Sequence, residues 1–540
     1  MSIDDTPLTE GLQRAAILQR VRETPGWDIV VIGGGATGLG CALDAASRGH
    51  TVLLLEARDF AQGTSSRATK LIHGGVRYLA QGNLPLVREA LLERARLLEN
   101  APHLVHPLRF VVPAYGWLDK PKFGIGLKLY DLLAGTHGIR PCRVLDAATT
   151  RTALPGVRST GLRGGIAYWD AQFDDARLAV VLMRGVFDHG GVAVNYLRVT
   201  ALLSEAGRVS GVEAEDSERG ERFHIRARAV VNATGVWADD LRRLENPSVR
   251  PLLRPSQGTH IVVDRAFLPG RDALLVPETP DGRLLFVIPW AGKVLIGTTD
   301  TARDDRPLEP VALPGEIDFI LETAARYLDP APTRADILSV FAGLRPLISD
   351  EHASRTGQLS REHFIERSPW GMITVTGGKW TTYRRMAEET IDAVEAAVPL
   401  PRRACVTASL RLHGAEDDRA RRPREADPYG SERAVVDALP GADRVLEDAA
   451  DALDGSGDDR GPTEAEVRHA VRFELARGVE DVLARRHRLL FLDARRAIAL
   501  APRVAAIVAE ELGRDAAWVD DEVRRFEALA RGYLAPDGVG

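Results

Sequence analysis

The side chains best suited to chemistry crowd into residues 57–83, ARDFAQGTSSRATKLIHGGVRYLAQGN. Thr64, Ser65 and Ser66 supply hydroxyls that hydrogen-bond phosphate or ribose oxygens, and Lys70, His73 and Arg77 set three bases beside the flexible Gly74 and Gly75. A polar surface loop could have the same composition. Two further bases, Arg345 in FAGLRP and Lys379 in GGKW, stand in strand-to-turn contexts without obvious acidic neighbours, a setting that suits an anionic ligand.

The elements that must position these groups begin just upstream, in residues 27–56, WDIVVIGGGATGLGCALDAASRGHTVLLLE. The apolar run 29–32 predicts a strand buried on both faces, Gly33, Gly35 and Gly38 form a G-x-G-x-x-G turn, and 36–47 predicts a helix that Gly49 closes. A second strand over 51–55 ends in Glu56, whose carboxylate can take a ribose hydroxyl. Gly33 permits the tight turn, Gly35 lets backbone approach a pyrophosphate, and Gly38 allows close packing of helix on strand. The helix N-terminus adds free N–H groups and the positive end of its dipole. With strand, helix, second strand and acid in register, a dinucleotide site explains the turn better than a glycine-rich bend without ligand. The strand predicted at 227–232 runs into Ala233-Thr234-Gly235, a second small-residue turn. A strand over 372–376 leads to Gly377-Gly378 and to a helix opened by Thr381, which ends at the proline-rich stretch 398–401. Cofactor candidates are therefore Gly33, Gly35, Gly38, Glu56, Thr64, Ser65, Ser66, Lys70, His73, Ala233, Gly235, Gly378, Lys379 and Thr381.

Composition places the chain among soluble globular proteins: 540 residues, 45% hydrophobic and 27% charged, enough for about three or four domains. A net charge of −6 announces no nucleic-acid partner. Cys41, Cys142 and Cys405 are scattered without metal-ligand spacing, which fits a reducing, cytoplasmic setting and no metal site. No signal peptide or membrane span is legible. Elsewhere a helix is predicted over 83–100, strands over 104–112, 192–195 and 198–203, and a helix over 176–189. Short strands are expected through 250–347, separated by turns such as Pro280-Asp281-Gly282 and Ala291-Gly292. Thr463 and Glu466 form a capping box for a helix to 477, and further helices are expected to start near Asp493 and Pro502. The arginine-rich run 484–497 reads as a solvated face beside a packed one.

The segment 64–79, TSSRATKLIHGGVRYL, resembles the signature of the FAD-dependent glycerol-3-phosphate dehydrogenases. The likeness continues through GTHIVV (258–263), IGTTD (296–300), FAGLRPL (341–347), SREH (360–363) and GGKWTTYRRMAE (377–388), and covers nearly everything from residue 27 onward. It implies a fold part α/β and part α+β. A Rossmann-like, two-dinucleotide-binding FAD domain is discontinuous (27–110, 176–249, 348–398), an antiparallel-sheet substrate domain takes 111–175 and 250–347, and a C-terminal α-helical domain takes 405–540. The resemblance also implies FAD as cofactor and oxidation of sn-glycerol 3-phosphate to dihydroxyacetone phosphate, with electrons passed to a membrane quinone. It places the turn 233–235 near the adenine end, and the helix after Thr381 against the pyrimidine edge of the flavin, where its dipole would stabilise negative charge on the reduced ring.

Substrate contacts carry over onto Arg77, Tyr78, His260, Arg345, Arg361 and Lys379, with His260, Arg345 and Lys379 as the catalytic set. His260 is a candidate general base, its ordinary pKa being near ~6.5, or a histidine that only orients substrate by a hydrogen bond. Arg361 could equally pair with Glu351 or Glu362 on the surface, and Tyr78 could simply pack. Alternatives within reach are a glycerol-3-phosphate oxidase that reduces oxygen, an amine or amino-acid oxidase of the same fold, and a redox-sensing flavoprotein without turnover. The stretch 115–135, YGWLDKPKFGIGLKLYDLLAG, mixes aromatic residues with Lys120, Lys122 and Lys128. It fits either a helix that caps a core or one that docks peripherally on an anionic membrane surface, at the inner face of the cell membrane. A homodimer is left open.

Overall fold

The computed structural model describes residues 11–80, 82–277, 279, 284–349, 363–415, 427–446 and 460–536. The apolar runs read as buried strands form the centre of one sheet. Its order is His363–Arg367, Ile373–Gly377, Arg222–Asn232, Trp27–Ile32, Val52–Leu55, Val192–Val194. Trp27–Ile32 pairs in parallel with both neighbours, Ile32 lying opposite Asn232 and Leu55, so the strand ends that carry the two small-residue turns come side by side. Helices Ala36–Ser47, Asp175–Asp188 and Tyr383–Ala397 cover the sheet and leave Ile29 to Val31 without solvent contact, which is why these strands are continuously apolar. Arg222–Asn232 starts five residues before the predicted 227. Its first half alternates buried Phe223 and Ile225 with exposed His224 and Arg226 and pairs antiparallel with Arg208–Asp216, so it is buried on one face only.

The second sheet runs Thr301–Ala302, Leu253–Asp264, Lys293–Gly297, Leu285–Trp290, Ala273–Val276, Val105–Ala114, Gly164–Phe173, Leu71–Ile72. The expectation of short strands holds for Ala273–Val276, Leu285–Trp290, Lys293–Gly297 and Thr301–Ala302 and is corrected for the two remaining strands. Leu253–Asp264 and Ile337–Ile348 are twelve residues each and pair antiparallel from Leu253/Ile348 onward, with one bulge at Val262/Val263. Gly258 and Gly343 do not interrupt them; each makes room for an arginine side chain, Arg345 and Arg67 respectively. Ala291 and Gly292, both with positive φ, form the expected tight turn, whereas residues 280–282 lie outside the described residues.

Beyond residue 460 the described chain is helical. Thr463 caps Glu464–Glu474 reciprocally with Glu466, as the capping box predicts, and the helix stops at Leu475 in the left-handed region. Pro502 does not open a helix but lies inside Ala494–Leu512. Proline forfeits one backbone hydrogen bond, and the buried stripe Leu500, Ala501, Val504, Ala505 and Val508 holds the helix together across it. The reading of 484–497 as a solvated face beside a packed one holds for exposed Arg495 and buried Leu489 to Leu492, and is corrected at Arg485, Arg486 and Arg488, which are buried. Arg485 and Arg486 close on the carboxylate of Asp59 at 2.5 and 2.6 Å, and Arg488 donates to the Ser66 carbonyl at 2.7 Å. Asp59, far away in sequence, and for Arg485 also the nearby Glu480 and Asp481, hold the Arg485 and Arg486 charges out of water.

The helix Asp119–Ala134 caps the core with one side and leaves apolar side chains exposed on and beside the other. Leu127, Tyr130 and Ala134 pack into the core, while Trp117, Ile125 and Leu132, each more than 70% exposed, project from the other side. No helix among the described residues is long and apolar enough to cross a membrane.

Candidate active site

Both small-residue turns meet at the top of the first sheet. Gly33 has φ +111°, and a Cβ there would come 2.6 Å from the Ala233 carbonyl, so only glycine lets the turns touch. A Cβ on Gly38 would collide with the Gly33 carbonyl; Gly38 shapes the cradle from behind. Gly35 has only Ser65 Oγ nearby, and that oxygen accepts the Ala36 N–H at 2.9 Å, tying the hydroxyl-rich loop to the helix N-terminus. Glu56 accepts the Gly34 and Arg58 N–H groups at 2.6 and 2.9 Å, while burial raises its proton affinity. A cavity of about 1640 Å³ opens over this cradle.

The cavity gathers most of the sequence candidates. Gly33, Gly35, Glu56, Thr64, Ser65 and His73 line it from the first βαβ unit and the loop after it. Ala233 and Gly235 line it from the second turn, and Gly378, Lys379 and Thr381 from the third. Thr381 Oγ1 accepts the His73 N–H at 3.2 Å, and Trp380 donates to the Ser65 carbonyl at 2.9 Å, so the third turn is clamped to the loop.

Tyr78, His260 and Arg345 line the end of the cavity that faces the second sheet. Lys379 Nζ lies 3.7 Å from the centre of the Tyr78 ring, a cation–π contact, and that ring rests on Gly75, where a Cβ would collide with it. Arg345 donates to Thr298 Oγ1 at 3.1 Å and has the Asp300 carboxylate 3.9 Å away. The expectation of no acidic neighbour is thereby corrected: Asp300 follows Lys293–Gly297, which sheet pairing brings beside Leu253–Asp264. His260 is buried, stacked on Phe341 with ring centres 4.9 Å apart, and joined at Nε2 to Thr69 Oγ1 at 2.9 Å. Burial first, then the charges of Lys70 and Arg345, push its pKa well below the ordinary value.

A family model described as FAD dependent oxidoreductase matches residues 28–384, and one described as the C-terminal domain of alpha-glycerophosphate oxidase matches residues 405–519. The protein named glycerol-3-phosphate dehydrogenase, mitochondrial, from Mus musculus is 39% identical over 547 residues, which cover 96% of this chain and 74% of that one. This chain belongs to the FAD-dependent glycerol-3-phosphate dehydrogenase family. The Schizosaccharomyces pombe member is 35% identical over 99% of this chain and 92% of its own. The X-ray structure of glycerol-3-phosphate dehydrogenase from Bacillus halodurans, complexed with FAD, superposes with a TM-score of 0.76 at 30% identity, covering 98% of this chain and 99% of that one. L-alpha-glycerophosphate oxidase from Mycoplasma pneumoniae shares the fold at a TM-score of 0.56 and 16% identity, over 69% of this chain and 95% of that one.

FAD is the cofactor of this family, and the cradle fits it: Gly35 opens on the cavity, the helix N-terminus lies beneath, and Glu56 stands at the end of the second strand. Three cofactor candidates do not face the cavity. Gly38 sits behind the turn, and Ser66 is buried with its carbonyl accepting from Lys70 and Arg488. Lys70 is a correction. Its ammonium is sealed off, paired with Asp175 at 2.7 Å and ringed by Trp290, Phe341 and Phe491 at 5.1 to 5.5 Å. Lys70 has a left-handed backbone, and burial together with Arg488 pushes its pKa down to about 7, against the pull of Asp175. Arg77 lies in the helix Val76–Ala80, its side chain outside the described residues, as is the whole of Arg361.

Sequence reasoning missed Thr69 and Asp170, both on the cavity wall. Asp170, inside the strand Gly164–Phe173, accepts from Arg94 at 2.6 Å and from Tyr130 at 2.8 Å. Its signal was an acid within a strand-like run, a position that needs a buried partner. Thr69 carried no signal of its own; only the fold puts it against His260.

Proposed function

We propose that this chain oxidises sn-glycerol 3-phosphate to dihydroxyacetone phosphate and passes the electrons to a membrane quinone. The observation that supports it most is the convergence of His260, Arg345, Lys379 and Tyr78 on the cavity of the dinucleotide cradle. FAD, when bound, supplies the hydride acceptor. Arg345 and Lys379 hold the substrate phosphate, the guanidinium by its fork and the ammonium as a point charge braced on Tyr78. His260 orients the substrate, and the aromatic wall of Phe110 and Tyr168 keeps water away from the reacting end. Arg77 and Arg361 remain substrate contacts in this proposal.

The division of the chain belongs to the same reading. Cofactor segments 27–110, 176–249 and 348–398 are supported by the first sheet, and substrate segments 111–175 and 250–347 by the second; among the described residues Leu71–Ile72 and Val105–Ala114 reach across. Peripheral attachment to the inner face of the cell membrane is supported by the apolar side of Asp119–Ala134. The oxidase reading draws on one observation, the match of residues 405–519 to the C-terminal domain of alpha-glycerophosphate oxidase. Turnover by the purified protein with an artificial dye and with oxygen separates the two: fast oxygen reduction replaces the dehydrogenase reading. Arg345→Ala tests the site. Losing a charge-assisted contact of ~1.5–3 kcal/mol should lower kcat/KM for glycerol 3-phosphate roughly ten- to a hundredfold. Glycerol is the control, since it has no phosphate to lose; equal losses on both substrates would mean that Arg345 supports the fold or the flavin instead.

A further inference from the structure

His260 is held on every side but one. Its strand partners are Gly297 and Phe341. A Cβ at residue 297 would collide with the imidazole, so glycine makes the space, while the near-parallel Phe341 ring, tilted by 17°, sets the plane. Rotation within that plane is stopped by Thr69, whose Oγ1 lies 2.9 Å from Nε2. The other nitrogen, Nδ1, is enclosed and has no hydrogen-bond partner among the described residues.

That asymmetry decides where the ring keeps its proton. On Nδ1 the proton would be a buried donor without an acceptor among the described residues, and the charges of Lys70 and Arg345, both positive, favour a bare lone pair. On Nε2 it is satisfied at once by the Thr69 oxygen. Thr69 then accepts from the ring, and its own O–H, which has no other partner among the described residues, is left to donate into the cavity that Thr69 lines. A doubly protonated ring would add a third positive charge beside Lys70 and Arg345 and would again bury an unsatisfied N–H.

We infer that Thr69 and His260 form a neutral relay, in which His260 Nε2–H donates to Thr69 and the Thr69 hydroxyl donates to a substrate oxygen. His260 thus orients substrate through Thr69 and does not serve as the general base. The inference rests on the reading that this end of the cavity receives glycerol 3-phosphate.

The test compares Thr69→Val, Thr69→Ser and His260→Gln with the wild-type holoenzyme, measuring kcat/KM against pH with a dye acceptor and flavin content by absorbance. Thr69→Val keeps the shape and loses the hydroxyl, so kcat/KM should fall tenfold or more, and Thr69→Ser should restore most of it. Glutamine presents an N–H where His260 has Nε2–H, so His260→Gln should stay within about tenfold and keep the wild-type pH profile. Should Thr69→Val match wild type, the relay is refuted. It is equally refuted if His260→Gln loses roughly the hundredfold to ten-thousandfold typical of a missing general base, together with a titrating limb. If Thr69→Val fails to hold flavin, the serine and glutamine variants decide alone. A wild type inactive on glycerol 3-phosphate would instead overturn the substrate reading.

Discussion

Replacing Asp59 by asparagine perturbs the joint between the C-terminal helices and the cofactor loop at a fully buried charge. Asp59 follows Glu56 by three residues, is wholly buried, and accepts from Arg485, Arg486 and Asn195. Burial alone would raise its pKa, but Arg486 and Arg485 outweigh it and hold the carboxyl at about 2, below the ordinary 3.8. Each tenfold change in a proton equilibrium is worth about 1.4 kcal/mol, so the ionised carboxylate contributes ~2 kcal/mol to the folded state. Because the folded value is the lower one, that contribution is complete above about pH 4 to 5 and is lost as the pH falls through about 2. The Asp59→Asn substitution should cost more than this at pH 7. Arg485 keeps Glu480 and Asp481, but buried Arg486 loses its close anion, and a broken buried pair costs ~3–5 kcal/mol. FAD release during a urea titration, followed by the recovery of flavin fluorescence, is the measurement. Asp59→Asn should release FAD at clearly lower urea than wild type at pH 7, and the two should converge only as the pH falls through about 2. Release at the same urea concentration, with the same acid sensitivity, would refute the argument that these arginines clamp the cofactor loop.

Two further outcomes follow from particular residues. Gly35→Val puts a branched side chain where Gly35 now has open cavity and one hydroxyl 3.0 Å away, so the protein should purify colourless; normal flavin absorbance would show that the pyrophosphate lies elsewhere. Ile125→Asp with Leu132→Asp charges the exposed apolar side of Asp119–Ala134 without touching its buried face. This double variant should lose co-sedimentation with anionic liposomes and lose quinone reduction while dye-linked turnover survives; unchanged lipid binding would place the membrane contact on another surface.

The dinucleotide turn, its strands and its acid were legible because every requirement is local: φ at Gly33, close packing at Gly38, and a carboxylate at the end of the next strand lie within thirty residues of one another. The capping box at Thr463 and Glu466 was legible for the same reason, since donor and acceptor are three residues apart. The basic residues of the substrate end were visible as types, and the resemblance supplied their roles. What the sequence by itself determined, then, was the set of elements and the kind of ligand. The tertiary structure alone decided which charges are free to meet that ligand. Lys70 looked like a phosphate ligand until Asp175, 105 positions away, took its ammonium, and Arg485 and Arg486 looked solvated until Asp59, more than 400 positions away, took theirs. Thr69 likewise acquires its place only when sheet pairing carries His260 to it across 191 residues. A buried charge or donor is tolerable only beside its partner, and the choice of partner is a property of packed sheets and helices that no local pattern records.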